Sequence, residues 1–576
     1  MHVAPTQAKR WTIRETDEDA VTALQQELNI HPVLCRLMVQ RGISSLEEAK
    51  LFFRPSLDDL HDPFLMKDMA EAVERIELAI AKGQKILIYG DYDVDGTTSV
   101  ALMYTFLREF YERLEFYIPD RYAEGYGVSQ MGVDYAIDNH FKLIIALDCG
   151  IKSVDKVAYA RERGVDFIIC DHHLVGDEIP PAAAVLDPKR PDCPYPYKEL
   201  SGCGIGFKLA QAFAKRNNIP DEIVFALLDL VVISIASDIV PITGENRVLS
   251  YFGLELINMG EKRKGISSLL KQAGVDKELS ITDLVFIIGP RINAAGRMGH
   301  AKAAVELLIS DTDINSDSGA EELQNRNANR KETDKEMTTE ALQILRDDPL
   351  LDKRTTTVVM QEHWHKGVVG IVASRLTEHY YRPTIVLTLS NGMITGSARS
   401  VRDFDIHEAL IKCSDLLVQF GGHKYAAGLS LLPENFEAFR NRFEEVVSST
   451  ILPEMLIPEV TIDAELELND INDKFYNILK QFAPFGPENM RPVFLSKGVY
   501  DYGGTRVVKE LHLKLHLTQD GKREAKGIGF NMGYFGEQVI SKGSTKRKFD
   551  ICYCLEPNEW QGNINIEMSA KDIRVG

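Results

Sequence analysis

Between residues 71 and 190 the chain alternates short apolar runs with segments whose apolar positions recur at helical spacing. The runs KILIYG, FKLIIAL and VDFIIC are apolar at nearly every position, as strands buried on both faces of a parallel sheet are. The intervening segments EAVERIELAIA and TSVALMYTFLREF have the period of helices. The pattern predicts an α/β domain with a parallel sheet covered on both faces.

A second alternation of this kind spans about residues 354–448, and a purely β pattern follows it. TTTVVMQE, PTIVLTLS and MITGSARS predict strands, and VVGIVASRLTEHY and FDIHEALIKCSDLL predict helices. From about residue 458 onward, LHLKLHL and NINIEMS alternate apolar and polar positions, which is typical of half-buried strands. This last segment is either an OB-type barrel that binds single strands or a solvated β-domain with lysine-guarded edges. Its basic loop residues are Lys522, Arg523, Lys526, Lys542, Lys546, Arg547 and Lys548.

A highly polar stretch separates the two α/β patterns at about residues 311–348. It has helix-forming residues but almost no apolar stripe, so we expect a helix that is polar all round and bridges two domains. The predicted architecture is therefore two α/β domains joined by a long helix and followed by a β-barrel. The expected segments are an N-terminal cap region (1–70), the first α/β domain (71–265), a helical connector with the long helix (266–350), the second α/β domain (351–452) and the barrel (453–576).

The net charge and the composition of the chain exclude several classes of function. The 576 residues carry a net charge of −19, which argues against a general nucleic-acid coat but leaves open a nuclease whose carboxylates bind metal ions. No apolar run approaches the roughly 18 residues of a membrane span, and the N-terminal residues have no apolar signal core. The eight cysteines are scattered and form no C-x-x-C pair, so we expect a cytoplasmic protein.

Acidic residues and histidines follow three separate strands of the first predicted sheet. Because the carboxyl ends of parallel strands share one edge, these groups can converge on one crevice. Carboxylates with an imidazole suit Mg²⁺ or Mn²⁺, and two such ions about 3.5 to 4 Å apart can activate water and neutralise a phosphoryl oxygen. Asp148, alone at its strand end, is the candidate bridge between two ions. The residues at the three strand ends are Asp91, Asp93 and Asp95, then Asp148, then Asp171, His172 and His173.

Other interpretations of these motifs are weaker or remain open. DYDVDG begins like an EF-hand loop, but Leu102 stands where the bidentate glutamate belongs and a strand precedes the loop. Walker A and G-x-S-x-G motifs are absent from the sequence. Asp238, at the end of a long apolar helical stretch, is either a ligand or a helix stop. The glycines of GSARS and GGHKYAAG allow close approach of a ligand or simply form turns.

The motifs resemble those of the DHH phosphoesterase superfamily. GDYDVDGTTS, LIIALDCG, Asp171-His172-His173 and SIASDIVP are similar to its four motifs in order, and GGHKYAAG is similar to the signature of its associated second domain. With GPRINAAGRMGHA, the long helix, GSARS and the closing β-domain, the order resembles the RecJ family of bacterial single-strand-specific 5′→3′ DNA exonucleases.

The resemblance implies a phosphodiesterase of DNA repair and recombination that uses two Mn²⁺ or Mg²⁺ ions and removes nucleotides from the 5′ end of single-stranded DNA. A helicase and a single-strand-binding protein would supply that strand. Many relatives carry a histidine at the position of Tyr89, beside Asp91. The implied metal ligands are Asp93, Asp95, Asp148, His172 and Asp238, with Asp91 as a further candidate. The implied catalytic residues are Asp93, Asp148, His172 and His173, the last in contact with the scissile phosphate or supporting the ligands. The implied phosphate contacts are Arg121, Arg291, Arg297, Ser397, Arg399 and His423.

Two alternative functions share the DHH motifs but differ in substrate or in activity. Other DHH branches act on oligoribonucleotides, cyclic dinucleotides or polyphosphate, but they are usually shorter and lack the C-terminal β-domain. A non-catalytic DNA-binding scaffold would have a degraded site, whereas every matched acid and both histidines are present here.

Overall fold

A computed structural model describes residues 8–260, 262–541, 546–560 and 563–575, and of residues 559, 560, 563 and 564 it describes only the backbone. The basic residue Lys542 lies outside the described residues. The chain forms two compact units. We call Lys50–Arg330 together with Phe482–Met490 the central unit; the flanking unit comprises the residues up to Ala49, Lys331–Gln481 and the residues from Arg491 onward. No helix in these described ranges is long and apolar enough to cross a membrane.

The N-terminal segment contains one strand and three helices. They are β1 (Arg10–Ile13), α1 (Glu18–Leu28), α2 (Pro32–Val39) and α3 (Leu46–Phe53). Strand β1 pairs in parallel with Glu459–Ile462, so it belongs with the C-terminal segment of the flanking unit. The predicted N-terminal cap region (1–70) thus divides between the two units: residues up to Ala49 belong to the flanking unit and the rest to the central unit.

A five-stranded parallel sheet organises the central unit, with the strand order β3-β2-β4-β5-β6. Alternate side chains of its strands enter two separate apolar cores, one containing Ile88 and Ile145 and the other Leu87 and Ile144. This double burial explains why the strands are apolar at nearly every position. The elements of this part are α4 (Met69–Ala81), β2 (Lys85–Gly90), α5 (Val94–Arg108), β3 (Leu114–Tyr117), α6 (Gln130–Asp138), β4 (Phe141–Leu147), α7 (Val154–Glu162), β5 (Asp166–Cys170) and β6 (Ala184–Leu186).

Helices complete the central unit after the sheet. The long apolar stretch predicted at residues 221–240 folds as two helices, and the second is buried from Leu228 to Ala236. A π-helical turn, Leu284–Ile288, precedes the glycine- and alanine-rich helix α14. The helices are α8 (Gly202–Arg216), α9 (Asp221–Phe225), α10 (Leu228–Asp238), α11 (Gly244–Asn258), α12 (Lys264–Ala273), α13 (Ile281–Asp283), α14 (Gly289–Met298) and α15 (Lys302–Leu308).

The predicted long helix is present as α16 (Asp313–Arg346), 34 residues in length. The expectation that it is polar all round is wrong, because one face is buried along its length. Polar residues occupy several inward positions, and there Asp334 accepts a hydrogen bond of 2.7 Å from Arg375. A search for apolar residues therefore misses the stripe, which consists of Ser316, Ala320, Leu323, Asn327, Asp334, Met337, Ala341 and Leu345.

The second α/β domain lies in the flanking unit and has a five-stranded sheet of order β10-β11-β9-β8-β7. Strands β7 and β8 are parallel, and the other neighbours are antiparallel. The first four residues of GSARS lie in β9, and GGHKYAAG forms the hairpin of β10 and β11. The elements are β7 (Thr357–Met360), α17 (Val369–Tyr380), β8 (Thr384–Ser390), β9 (Met393–Arg399), α18 (Ile406–Ile411), β10 (Gln419–His423), β11 (Ala426–Leu431) and α19 (Phe436–Thr450).

A closed barrel forms the C-terminal part of the flanking unit. Strands β14, β18, β19, β17 and β16 pair in that order, and β16 pairs back to β14, which is the five-stranded closure of an OB fold. The predicted combination of two α/β domains, a long helix and an OB-like barrel is thus confirmed. The elements are β12 (Glu459–Ile462), β13 (Ala464–Glu465), α20 (Asp473–Leu479), β14 (Phe494–Asp501), β15 (Arg506–Val508), β16 (His512–Thr518), β17 (Glu524–Gly529), α21 (Gly536–Val539), β18 (Phe549–Trp560) and β19 (Asn563–Val575).

Candidate metal centre

His172, which follows strand β5, stands at the centre of a group of carboxylates in the central unit. Its Nε2 lies 3.2 Å from Asp148 Oδ1, 3.5 Å from Asp238 Oδ2 and 3.7 Å from Asp95 Oδ2. Asp148 follows β4, Asp95 lies in the first turn of α5 after β2, and Asp238 ends α10. The carboxyl edge of the parallel sheet therefore brings the predicted strand ends together, and α10 adds a fourth group.

The unpaired atoms of this group fit a divalent cation. Neither ring nitrogen of His172 has a hydrogen-bond partner, nor does Asp148 Oδ1, although all three atoms are buried. Buried polar atoms without partners are unfavourable, and a cation among them removes that penalty. Two overlapping sets each have ligand atoms within 4.8 Å of one another: Asp148, His172 and His173, and Asp95, His172 and Asp238. The second set, with two carboxylates and one imidazole, suits Mn²⁺ and Mg²⁺.

Asp91 and Asp93 extend the negative charge at the start of α5. Asp93 caps that helix, where its Oδ1 accepts a hydrogen bond of 3.0 Å from the amide of Gly96. Asp91 is fully buried; its Oδ1 accepts from the amide of Gly127, and its Oδ2 has no partner. Burial and the charge of Asp93 hold the pKa of Asp91 well above its usual range. A nearby cation relieves this repulsion between like charges.

Tyr89 occupies the position at which, by the resemblance noted in the sequence, many DHH proteins carry a histidine. Its ring is fully buried and stacks on Tyr117 at 5.5 Å. Its hydroxyl donates to the carbonyl of Gly127 and accepts from the amide of Ser129. Since this hydroxyl is engaged, Asp91, with its unpaired Oδ2, is the residue at this end of β2 that offers a free ligand atom.

Asp148 has a strained backbone and tightly packed surroundings. Its φ of 58° lies in the left-handed region, which residues other than glycine seldom adopt. Burial and the charges of Asp95, Asp93 and Asp238 raise the pKa of Asp148 well above its usual range. Strain and crowded like charges of this kind are typical of functional sites.

His173 forms a dyad with Asp171 beside the carboxylate group. Asp171 Oδ1 lies 2.7 Å from His173 Nδ1, and the hydroxyl of Tyr126 lies 3.0 Å from His173 Nε2. Burial lowers the pKa of His173, but the hydrogen bond to Asp171 and the charges of Asp171, Asp238 and Asp93 together outweigh burial and raise that pKa to about 9. Burial raises the pKa of Asp171, but the hydrogen bonds from His173 and from the amide of Ile151, with the charges of both histidines, together lower it to about 2. The dyad therefore favours the protonated form of the His173 ring.

Arg121 and Arg297 lie near the acidic group, and Arg291 uses two of its guanidinium nitrogens for hydrogen bonds inside the protein. Arg121 stacks on the ring of Tyr92 at 4.8 Å. Burial raises the pKa of Tyr92 to about 12, and the charges of Arg121 and Arg297 oppose that rise. Arg291 is only 7% exposed, and its guanidinium donates to Gln324 and to the carbonyl of Ile287.

Ser397, Arg399 and His423 lie on the second α/β sheet, in the flanking unit. Arg399 donates to Ser397 Oγ at 2.8 Å, two residues away on β9. His423 on β10 and Arg399 both pair in register with Ala426 on β11, so these two residues lie in one row across the sheet, and Ser397 lies two residues away along β9. Burial lowers the pKa of the Arg399 guanidinium. Ser397, Arg399 and His423 together form a compact patch of basic and hydroxyl-bearing side chains.

Sequence patterns missed the groups that hold these acids in place. Ser234 lies inside the apolar run of α10, and the amides of Gly202 and Cys203 open α8; all three donate to Asp95. Tyr126 was also missed. The run SGCGIG, with three glycines at a helix start, was the available signal for α8. Ser234 had none, because one serine in an apolar helix carries no spacing pattern.

Three protein-family models match the chain in the order of its domains. The DHH family N-terminal domain matches residues 85–235, the DHHA1 domain matches residues 352–449 and the RecJ OB domain matches residues 462–572. The first match contains most of the carboxylate group, and the third covers most of the closed barrel.

Full-length relatives extend the comparison. The chain is 37% identical to the single-stranded-DNA-specific exonuclease RecJ of Bacillus subtilis, over 98% of this chain and 71% of that protein. It is 34% identical to RecJ of Escherichia coli, over 97% and 98% of the two chains. The structure of Thermus thermophilus RecJ in complex with Mn²⁺ has a TM-score of 0.82 and 27% identity, covering 98% of this chain and 80% of that one. A second structure of that protein contains Mg²⁺. The chain therefore belongs to the RecJ family.

Proposed function

We propose that this protein is a metal-dependent exonuclease that hydrolyses single-stranded DNA from its 5′ end. The observation that carries the proposal is the convergence of Asp95, Asp148 and Asp238 on the unpaired Nε2 of His172. The RecJ relatives, named as single-stranded-DNA-specific exonucleases, support the substrate class. The closed barrel favours long strands over the oligoribonucleotides or cyclic dinucleotides that other DHH branches use.

The residues that would hold the ions form a shared set. We assign the ligand role to Asp93, Asp95, Asp148, His172 and Asp238, with Asp91 as a sixth candidate. Two Mn²⁺ or Mg²⁺ ions held by these residues would supply the activation of water and the neutralisation of charge on the phosphoryl oxygens. The protein's own part is to fix these oxygens and the imidazole in place before the strand enters, because pre-positioned groups need not reorganise during the reaction.

His173 acts on the phosphate of the bond that is cleaved. The hydrogen bond from Nδ1 to Asp171 fixes the ring and keeps it cationic, and the hydroxyl of Tyr126 contacts the other ring nitrogen. An imidazolium fixed at Nδ1 can redirect its Nε2 proton from the Tyr126 hydroxyl to a phosphoryl oxygen or to the leaving oxygen. Before the strand binds, Tyr126 keeps the ring in place from the side opposite Asp171.

The basic residues grip the strand. Arg121 and Arg297 serve the phosphates near the metal centre, and the patch of Ser397, Arg399 and His423 serves others, including the 5′ end. Arginine suits this work because its planar fork matches phosphate oxygens. Arg291 supports this grip indirectly, since its guanidinium is bound inside the protein.

The cellular context is part of the proposal. A helicase and a single-strand-binding protein would supply the substrate, because the enzyme needs a free single strand. All eight cysteines are free and buried, which supports a reducing, cytoplasmic location.

A polarity assay tests the function. Purified protein with Mn²⁺ should release mononucleotides from single-stranded DNA labelled at its 5′ end and should leave blunt duplex nearly intact. We expect a 5′-labelled strand to release its label at once and a 3′-labelled strand to release its label late. The reverse order would overturn the 5′ polarity, and equal activity in excess EDTA would overturn the metal dependence.

A further inference from the structure

We propose that Ser234 is a positioning residue of the metal centre, which fixes the carboxylate of Asp95 together with the first amides of α8. The inference deepens the proposed function and rests on it for the ligand role of Asp95. Ser234 is fully buried in a helix that is otherwise apolar from Leu230 to Ala236. A buried hydroxyl in such surroundings is unfavourable unless it makes a hydrogen bond, so its partner identifies its role.

Three short hydrogen bonds and one longer one meet on the two oxygens of Asp95; the longer one comes from the hydroxyl of Ser99, 3.4 Å from Oδ1. The amide of Gly202 donates to Oδ2 at 2.7 Å, and the amide of Cys203 donates to Oδ1 at 2.8 Å. The hydroxyl of Ser234 donates to Oδ1 at 2.7 Å. Asp95 is itself 1% exposed, so water does not compete for these oxygens. The carboxylate is therefore fixed by the protein alone.

A second hydroxyl determines the direction of the Ser234 proton. Ser201 Oγ lies 2.6 Å from Ser234 Oγ and accepts a hydrogen bond from the amide of Gly204. Ser234 has a single hydroxyl proton, and an ionised carboxylate has none to give. The Ser234 proton thus points to Asp95, and the Ser201 hydroxyl donates to the Ser234 oxygen. Each bond in such a chain polarises the next and strengthens the bond to the carboxylate.

Two helix N-termini add a favourable field at Asp95. The residue lies in the first turn of α5, and its oxygens accept from the first two residues of the 15-residue helix α8. The positive end of a helix dipole stabilises a carboxylate. In contrast, Asp148 Oδ1 and Asp91 Oδ2 have no donor. Asp95 is thus the acid whose position is set before an ion arrives, while its Oδ2 lies 3.7 Å from His172 Nε2.

Helix α10 supplies both the positioning group and a ligand. Ser234 and Asp238 are four residues apart, so they lie on the same face of the helix, one turn from each other. A shift of α10 would move the ligand and the positioning hydroxyl together. Hydrogen bonds behind metal ligands of this kind contribute about 10- to 100-fold to metal affinity.

Titration of Mn²⁺ into the full-length, metal-free protein by calorimetry, without DNA, tests the role directly. Ser234→Ala should weaken binding about 10- to 100-fold. Ser201→Ala removes the second hydroxyl, which also caps α8 by accepting from the Gly204 amide, and it should weaken binding less. Ser250→Ala is the matched control, because Ser250 is fully buried on α11 and its hydroxyl has no partner. It should bind Mn²⁺ as the wild type does.

The outcomes separate this inference from the proposed function. Far-ultraviolet circular dichroism verifies folding, and if Ser234→Ala does not fold, Ser201→Ala decides. DNA hydrolysis by Ser234→Ala should need more Mn²⁺ for half-maximal rate while its rate at saturating Mn²⁺ stays near that of the wild type. Folded Ser234→Ala and Ser201→Ala with unchanged Mn²⁺ affinity would overturn the positioning role even if the wild type degrades DNA. A wild type that binds Mn²⁺ but degrades no DNA would instead overturn the proposed function alone.

Discussion

Gly202, the first residue of α8, packs directly against Asp148. A Cβ atom on Gly202 would lie 2.6 Å from Asp148 Cβ and 2.9 Å from its Oδ1, far inside van der Waals contact. The glycine therefore permits the helix start to approach the metal centre closely enough for its amide to reach Asp95.

Substitution Gly202→Ala should displace Asp148 or the start of α8, because the contact is with backbone-proximal atoms that cannot swing away. We expect a loss of about 1–3 kcal/mol in the free energy of unfolding, as overpacking produces, and at least a tenfold lower rate of DNA hydrolysis. Chemical denaturation and a nuclease assay measure these two effects.

Gly204→Ala is the control, since a Cβ there makes only ordinary contacts of 3.4–3.5 Å in the same helix. It should be neutral or stabilising by up to about 1 kcal/mol. If Gly202→Ala had the same stability and the same rate of DNA hydrolysis as Gly204→Ala, the close packing of α8 on Asp148 would contribute to neither.

Tyr126→Phe should slow hydrolysis about three- to tenfold without changing Mn²⁺ affinity. The substitution removes one hydrogen bond on His173 Nε2, and a single such bond contributes about 0.5–1.5 kcal/mol. Steady-state rates at saturating Mn²⁺ show the effect. Tyr159→Phe, which removes a hydroxyl that binds Asp134 on the neighbouring helix, should leave the rate unchanged. If the rate of Tyr126→Phe were within 20% of the wild-type rate, Tyr126 would not be needed to hold His173 in place.

Two arginines should respond in opposite ways to alanine substitution. Arg121→Ala should weaken binding of a labelled single strand, measured by fluorescence anisotropy in EDTA, and should flatten its salt dependence. Its unfolding free energy should change little. Arg291→Ala should instead destabilise the protein by about 1–3 kcal/mol, because it removes the donor that the buried guanidinium supplies to the half-buried Gln324 side chain and to the carbonyl of Ile287. Equal effects of both substitutions on strand binding would contradict this division.

Metal ions should stabilise the central unit. Crowded carboxylates repel one another in the metal-free protein, and an ion that binds only the folded state adds about 2.7 kcal/mol at a concentration 100 times its Kd. We expect Mn²⁺ to raise the melting temperature by about 5 °C or more relative to EDTA. His172→Ala should reduce this rise, since His172 belongs to both ligand sets. A shift of the same size in His172→Ala would place the ions elsewhere.

The sequence predicted the parts of the site that parallel strands bring together. Asp148 and His172 end neighbouring strands, and topology alone makes their side chains meet. Asp238 could not be decided, because a ligand and a helix stop look alike in a sequence. The role of Ser234 and the burial of Arg291 could not be predicted from the sequence. A polar residue that faces inward is recognised only when its hydrogen-bond partners are known.

Long-range pairing was equally hidden. Arg10 on β1 lies beside Glu459 on β12, 449 residues away, and no local pattern encodes such a pair. The buried face of α16 escaped detection for a related reason, because Asn327 and Asp334 stand where apolar residues would have marked it. Periodicity thus predicts the elements and their order, while specific polar contacts decide how each is placed.

The rate of nucleotide release by Asp148→Ala at saturating Mn²⁺ tests the central claim most directly. Single-stranded DNA with a 5′ label is the substrate, and circular dichroism confirms that the variant is folded. If Asp148 joins the ions at the centre of the site, the rate should fall by several orders of magnitude relative to the wild type. A loss of less than tenfold would contradict the account, because it would show that hydrolysis does not depend on the carboxylate nearest to His172.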